Sequence, residues 1–188
     1  MRRLRVYAAL TILLAAIAAA LTIGLSSLCL KFCDDARAEQ VARAMNNPDA
    51  MTLLGGRYYE QGKYDLALRL YSEAAVIRPN SAALWVRIAA IWAFQRHFDD
   101  YADAIESANR LGPWEPLVQV LTVRTGLSHW SDLDSHTRGL VLGAAQRGLQ
   151  SQSRSQSVRV MALLTEFNAL ALVCTDGYKK NSYHCEYE

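Results

Sequence analysis

Residues 48–81 constrain the fold more than any other stretch of this 188-residue chain. Apolar side chains recur at helical spacing in two runs, residues 49–61 and 64–78. Gly62 separates the two runs and Pro79 ends the second one. Small and bulky residues alternate along both runs, so two helices can approach closely while the larger side chains fill the gaps. The pattern predicts a pair of antiparallel helices.

The same pattern returns in frame in residues 82–115. The pattern residues of the first copy are Leu54, Gly55, Tyr58, Ala67, Tyr71, Ala74 and Pro79, and those of the second are Trp85, Ile88, Ala89, Trp92, Phe98, Ala108 and Pro113. These residues resemble the tetratricopeptide repeat, which has a period of about 34 residues. The second copy departs from the family at Tyr101 and Ile105, where a small residue and an aromatic one are usual. The departure predicts a distorted second repeat.

The resemblance implies an all-α domain, a stack of antiparallel helical hairpins that binds other proteins. One hairpin cannot bury its own apolar face, and about three are needed for stability, so the chain must supply more helices. The pattern predicts about seven, including one over residues 115–125 with a break at Gly126, one from Asp134 or Ser135 to 149, and one over 158–173. The helical domain is assigned to residues 48–174, with a juxtamembrane helix at 31–47 and a polar tail at 175–188.

An apolar segment without charged residues, 6–30, precedes this domain and accounts for much of the high apolar content, 52% of the chain. A helix that rises 1.5 Å per residue over this segment exceeds the roughly 30 Å hydrocarbon thickness of a bilayer. The segment is therefore predicted to be an uncleaved transmembrane anchor that crosses the membrane once. A cleaved signal peptide, with small residues at 18–20 as its cleavage site, is the alternative.

The charges on either side of this segment predict its orientation. Arg2, Arg3 and Arg5 precede it, whereas Asp34 and Asp35 follow it. Because basic residues stay on the cytoplasmic side, residues 1–5 are expected in the cytoplasm and the helical domain on the opposite side of the membrane.

A second group of residues carries a further resemblance. The group consists of LGPWEPLVQVL at 111–121, then Trp130, Leu133, Arg138, Leu149 and LVC at 172–174, together with RPNSAALW at 78–85 and Trp92. These residues resemble the VpsP-like proteins, small single-pass membrane proteins of polysaccharide biosynthesis loci in Gram-negative bacteria. The resemblance implies a bacterial inner membrane, a periplasmic helical domain, and partners in polysaccharide synthesis or export.

The combined expectation is a non-catalytic, membrane-anchored adaptor of envelope polysaccharide synthesis or export. An assembly factor for secretion, pili or cytochrome maturation is the alternative, and a glycan-modifying enzyme is a third. The chain has no phosphate-binding Gly-rich loop, GxSxG or HExxH motif. His129, Ser131 and Asp132 are close in sequence but are not interpreted as a catalytic triad, and Ser131, Asp132 and Asp134 are interpreted as a helix-start cluster. A net charge of +2 gives no indication of a nucleic-acid partner.

The four cysteines lie near the two ends of the chain. Cys29 lies at the end of the apolar segment and Cys33 just after it, while Cys174 and Cys185 could close a short loop in an oxidising periplasm. Four free thiols are the alternative to that disulfide. Zinc binding by Cys174, His184 and Cys185 would need a fourth ligand, so no metal or cofactor is expected.

The first helix of each hairpin is expected to line a partner-binding groove. The predicted groove residues are Thr52, Gly56, Tyr59 and Glu60 in the first repeat and Val86, Arg87, Ala90 and Phe94 in the second. Val86 and Phe94 are expected to face a partner rather than the core, which makes the groove suited to a helix or an extended segment. Trp114 stands in a turn between Pro113 and Pro116, where its ring is expected to plug the third hairpin; exposure to a partner is the alternative.

Overall fold

The structure is a computed structural model that describes residues 34–175. Over this range the chain forms nine α-helices and no strand. The helices are α1 (Asp35–Ala44), α2 (Pro48–Glu60), α3 (Tyr64–Ile77), α4 (Ala82–Phe94), α5 (Phe98–Leu111), α6 (Pro116–Ser128), α7 (Ser135–Leu149), α8 (Arg154–Glu166) and α9 (Leu170–Thr175), with a 3-10 turn (Trp130–Asp132) between α6 and α7. The predicted all-α fold is thus confirmed for the described residues.

Three antiparallel hairpins, α2–α3, α4–α5 and α6–α7, make up most of the stack. In the first two hairpins the helices have 13 and 14 residues, so the departures from the repeat pattern at Tyr101 and Ile105 do not shorten the second one. Ala67 and Ala74 of α3 are fully buried, as small residues at a close helix contact should be. The hairpin stack therefore follows from the apolar periodicity.

Four helices end with one residue in the left-handed conformation. These residues are Asn46, Gly62, Arg96 and Asn168, with φ between 48° and 73°. In each case the next backbone N–H donates to a carbonyl five residues earlier, for example from Lys63 to Tyr58 at 2.8 Å. This hydrogen bond is the mark of a Schellman motif, which satisfies a terminal carbonyl and turns the chain sharply.

One of these residues overturns a predicted helix. Asn168 (φ 51°) stops α8, and Ala169 N–H then bonds to Leu164 O at 2.8 Å. The single helix expected over residues 158–173 is therefore wrong, because the chain forms α8 and α9 instead. Asparagine visits the left-handed region more readily than most residues, so it can end a helix without glycine.

The predicted break at Gly126 is also wrong, because α6 continues through it to Ser128. A Cβ atom placed on Gly126 would lie 2.2 Å from Cγ2 of Val141, which is fully buried in α7. Glycine is present here because two helices touch at that point, not because the helix ends.

The carboxylate of Glu39 in helix α1 bonds to side chains of the first hairpin. Glu39 accepts hydrogen bonds from Arg69 Nη2 at 2.8 Å and from the Tyr58 hydroxyl at 3.1 Å, and its Oε1 pairs with Arg43 at 2.9 Å. Ala38 of α1 is completely buried against the stack. Helix α1 is thus part of the same packed body as the hairpins.

Tyr101 fills the core of the second hairpin. Its side chain is completely buried, and its hydroxyl lies 3.2 Å from Thr125 Oγ1 of α6. Burial raises the pKa of Tyr101 from its usual value near 10 to about 12. Above pH 10 the folded chain therefore keeps the phenol proton of Tyr101, whereas the unfolded chain loses it.

This pKa shift predicts an alkaline loss of stability that depends on Tyr101. A raised pKa contributes stability that is fully present below the unfolded pKa of 10 and is lost as the pH rises toward 12. We expect Tyr101→Phe to cost about 1 kcal/mol near neutral pH through the lost hydrogen bond. Between about pH 8 and 11 the wild type should lose about 1 kcal/mol more than the variant, as measured by urea unfolding. Parallel losses in both proteins would contradict this assignment.

No helix within residues 34–175 is long and apolar enough to cross a membrane. The predicted anchor, residues 6–30, and the polar tail beyond residue 175 lie outside the described residues, so their assignments stay predictions.

Candidate functional site

The predicted groove residues do not form one continuous open surface. Tyr59, Glu60 and Phe94 are exposed, and Thr52, Gly56 and Arg87 are half-buried. Val86 is fully buried and Ala90 nearly so. The prediction that Val86 faces a partner is therefore wrong, and Ala90 is likewise part of the core.

The burial of these two residues has a simple cause. Helix α4 carries one charged side chain, Arg87, among thirteen residues, and it packs against α3, α5 and α6 together. The contact with α6 is one that a stack of only two hairpins would not provide. Only the C-terminal end of α4, at Phe94, emerges from this packing.

Arg87 stands over the ring of Tyr71, 5.9 Å from its centroid. Burial raises the pKa of Tyr71, and the nearby Arg87 charge opposes that rise. The Arg87 Nε atom is buried without a hydrogen-bond partner in the part of the chain that the structure describes. Arg87 is thus held within the stack rather than presented as a free cation.

An aromatic cluster, defined by Tyr59, Tyr64 and Phe94, joins the first two hairpins at the surface. The Tyr64 ring lies 5.5 Å from Tyr59 edge to face and 4.1 Å from Phe94. Tyr59 is 38% exposed and Phe94 is 55% exposed, while Tyr64 is half-buried between them. Tyr59 and Phe94 are among the groove residues predicted from the sequence, whereas Tyr64 is not, although its place directly after the Gly62 turn puts it at a helix start.

Trp114 is the exposed aromatic of the turn between α5 and α6. The residue is 64% exposed, so the expectation that its ring plugs the third hairpin is wrong. Polar side chains occupy the inner side of this turn instead. Arg147 Nε donates to Pro113 O at 3.1 Å, and Gln119 Nε2 donates to the same carbonyl at 3.2 Å.

A buried polar network extends from this turn into the stack. Arg147 Nη2 donates to Asn109 Oδ1 at 2.7 Å, and Gln156 Nε2 bonds both Pro116 O and Gln119 Oε1 at 3.1 Å. Gln119 and Gln156 are almost completely buried, and desolvation lowers the pKa of Arg147. Side chains from α7 and α8 thus fix the turn that presents Trp114.

The network was missed because its members are distant in sequence. Arg147 contacts Pro113 across 34 residues, and Gln156 contacts Pro116 across 40. The available signal was a polar residue at a position where the helical period requires an apolar one, as at Gln119.

The predicted helix-start cluster is confirmed at Asp134, whereas Ser131 and Asp132 lie in the 3-10 turn before α7. Asp134 caps α7 by accepting from Thr137 N–H at 2.8 Å, and this hydrogen bond lowers the pKa of Asp134. Asp132 instead accepts from Arg96 Nη2 at 3.2 Å, and the His129 ring lies 5.5 Å from Phe98. These side chains have structural contacts that account for their positions.

Cys174 of α9 is disulfide-bonded. Its predicted partner, Cys185, lies outside the described residues, so the pairing of these two cysteines stays a prediction.

Searches for relatives do not identify the chain. A scan against protein-family models finds no match, and a search of the curated proteins finds no similar sequence.

Proposed function

We propose that this chain is a non-catalytic adaptor with a tetratricopeptide-like helical domain, anchored by residues 6–30 in a bacterial inner membrane. The domain extends into the periplasm and holds proteins of envelope polysaccharide synthesis or export. The 34-residue pattern and the stack of hairpins support the repeat assignment, and the VpsP-like residues support the pathway. The apolar segment and the charges around it support the topology.

The exposed Trp114 on its fixed turn is the observation that carries this proposal. Tryptophan is enriched among the few interface residues that supply most of the binding free energy. Binding loses less conformational entropy when such a side chain is held in place beforehand. Partly buried hydrogen bonds from Arg147 and Gln119 hold the backbone of this turn. The partner that fits is a protein with an apolar pocket deep enough for one indole ring.

Trp114→Ala tests the proposal. We expect the variant to retain its stability, because changes at exposed positions usually alter it by about half a kcal/mol. It should nevertheless fail to co-purify the partner from detergent-solubilised envelopes of the native host, and it should reduce exported glycan.

Val76→Ala is the matched control, because Val76 is also an exposed apolar residue, at 82%, but lies on α3. Its partner recovery should equal that of the wild type. Normal recovery and normal glycan output with Trp114→Ala would refute the adaptor surface. Recovery of secretion, pilus or cytochrome-maturation proteins instead of glycan enzymes would change the pathway.

A further inference from the structure

The hairpin topology places the aromatic cluster at a defined edge of the stack. The start of α1 and the turns after α2, α4 and α6 lie together at one edge, which we name the α1 edge. Gln61 Nε2 donates to Asp35 Oδ2 at 3.0 Å, which joins the turn after α2 to the start of α1. Arg96 Nη2 donates to Asp132 Oδ2 at 3.2 Å, which joins the turn after α4 to the turn after α6. Trp114 lies at the opposite edge, in the turn between α5 and α6.

The α1 edge is also the edge nearest the predicted membrane anchor. Asp35, the first residue of α1, forms an ion pair with Arg57 at 3.7 Å as well as the bond to Gln61. The predicted span ends at Leu30, five residues earlier. Five extended residues reach at most about 18 Å, so the α1 edge cannot lie far from the bilayer. The headgroup layer on each side is itself about 5–8 Å thick.

Every member of the aromatic cluster lies within one helical turn of this edge. Tyr59 is in the last turn of α2, Tyr64 begins α3, and Phe94 ends α4. Tyrosine has an apolar ring and a polar tip, which favours the boundary between hydrocarbon and water. Lys63 is exposed in the turn between Tyr59 and Tyr64, and its ammonium nitrogen lies 5.5 Å from the centroid of the Tyr58 ring. Lys63 forms no ion pair with an acidic side chain within residues 34–175, and its side chain is long enough to reach phosphate groups.

The charge of this edge is mixed rather than basic. Exposed acidic groups, among them Glu60, Asp99 and Asp100, lie near Lys63 and Arg96. Attraction to anionic lipid is therefore not the force that would hold this edge. The exposed rings of Tyr59 and Phe94 supply an apolar contact that neutral, zwitterionic lipid can satisfy.

We infer that the aromatic cluster rests in the headgroup layer of the bilayer that holds the anchor, so that the stack lies on the membrane by its α1 edge. The inference rests on the anchor in the proposed function. The contact turns Trp114 and its edge away from the lipid, toward a periplasmic partner. Tyr59 and Phe94 thus belong to a lipid contact rather than to a protein-binding groove.

Site-specific photo-crosslinking of the full-length chain tests this orientation. Phe94→p-benzoyl-phenylalanine places the probe on the cluster, and Val76→p-benzoyl-phenylalanine is the control at the opposite end of α3. Leu14→p-benzoyl-phenylalanine reports on the predicted anchor itself. Each variant is reconstituted in phosphatidylcholine nanodiscs, irradiated, and analysed by mass spectrometry for a lipid adduct, with circular dichroism as the check on folding.

We expect about tenfold more lipid adduct at position 94 than at position 76, because only the former reaches the interface. Equal yields at the two positions, or an adduct between two protein chains at position 94, would overturn the inference. A lipid adduct at position 14 without one at position 94 refutes the proposed orientation but agrees with the predicted membrane anchor. Absence of adduct at both 14 and 94 refutes the anchor and the orientation together, whereas the adaptor role is judged separately by Trp114→Ala.

Discussion

Replacing Gly126 by alanine should destabilise the chain, whereas the same replacement at Gly139 should stabilise it. The added Cβ at Gly126 would lie 2.2 Å and 2.8 Å from the two methyl carbons of Val141, whose side chain is completely buried. Overpacking of this kind costs about 1–3 kcal/mol. The middle of this range, about 2 kcal/mol, exceeds the gain of about 1 kcal/mol that alanine brings to a helix interior.

Gly139 provides the matched control on α7. Within residues 34–175, no atom beyond the neighbouring residues and the local helix backbone lies within 4 Å of a Cβ built at this position, and the residue is exposed. Gly139→Ala should therefore stabilise the chain by about 0.4–1 kcal/mol through the unfolded state and helix propensity. Urea unfolding of the full-length chain in detergent, followed by circular dichroism, compares the two variants.

A double variant tests the cause of the loss. Adding Val141→Ala to Gly126→Ala removes the methyl groups that collide with the new Cβ. We expect a favourable coupling of about 0.5–3 kcal/mol between the two changes, the range found for residues in direct contact. Additive effects, or equal effects of alanine at Gly126 and Gly139, would show that α6 and α7 do not touch at this point.

The contrast between these glycines shows where prediction from sequence works in this chain. The helical period together with Gly62 and Pro79 was sufficient to predict the first hairpin, because local spacing decides both the buried face and the turn. Gly126 was misassigned because glycine serves equally as a break and as a point of close contact. Only the position of Val141 on another helix distinguishes the two.

The surfaces were harder to predict than the helices, for a related reason. Val86 was expected to be open because the repeat pattern describes a hairpin and its neighbour, yet α4 also packs against a third element, α6, and Val86 is fully buried. Trp114 was expected to be buried because a ring in a turn between prolines has an apolar core beside it. The polar side chains that displace it come from α6, α7 and α8, and no local pattern brings them to this turn.

Replacing Arg147 by methionine should both destabilise the stack and release the Trp114 turn. Arg147 donates to Pro113 O and to Asn109 Oδ1, and Asn109 is buried. Methionine fills a similar volume but leaves the amide oxygen of Asn109 without this donor. A buried polar group that loses its partner costs about 1–3 kcal/mol, so a loss of about 2 kcal/mol is expected in urea unfolding.

Arg110→Met is the matched control, because Arg110 is exposed in the last turn of α5 and should change stability by only about half a kcal/mol. Arg147→Lys should recover part of the loss, since one ammonium group can bind one of the two acceptors but lacks the planar fork that reaches both.

Hydrogen exchange at individual amides distinguishes release of the Trp114 turn from a general loss of stability. Hydrogen exchange of the amides at residues 112–119 should accelerate in Arg147→Met under conditions in which the rest of the stack stays protected, because the turn loses its anchor to α7. Partner recovery should then fall as it does for Trp114→Ala, even though the indole ring is intact. If Arg147→Met lowers global stability but leaves exchange at this turn and partner recovery unchanged, the network supports the fold alone, and Trp114 does not depend on it for its presentation.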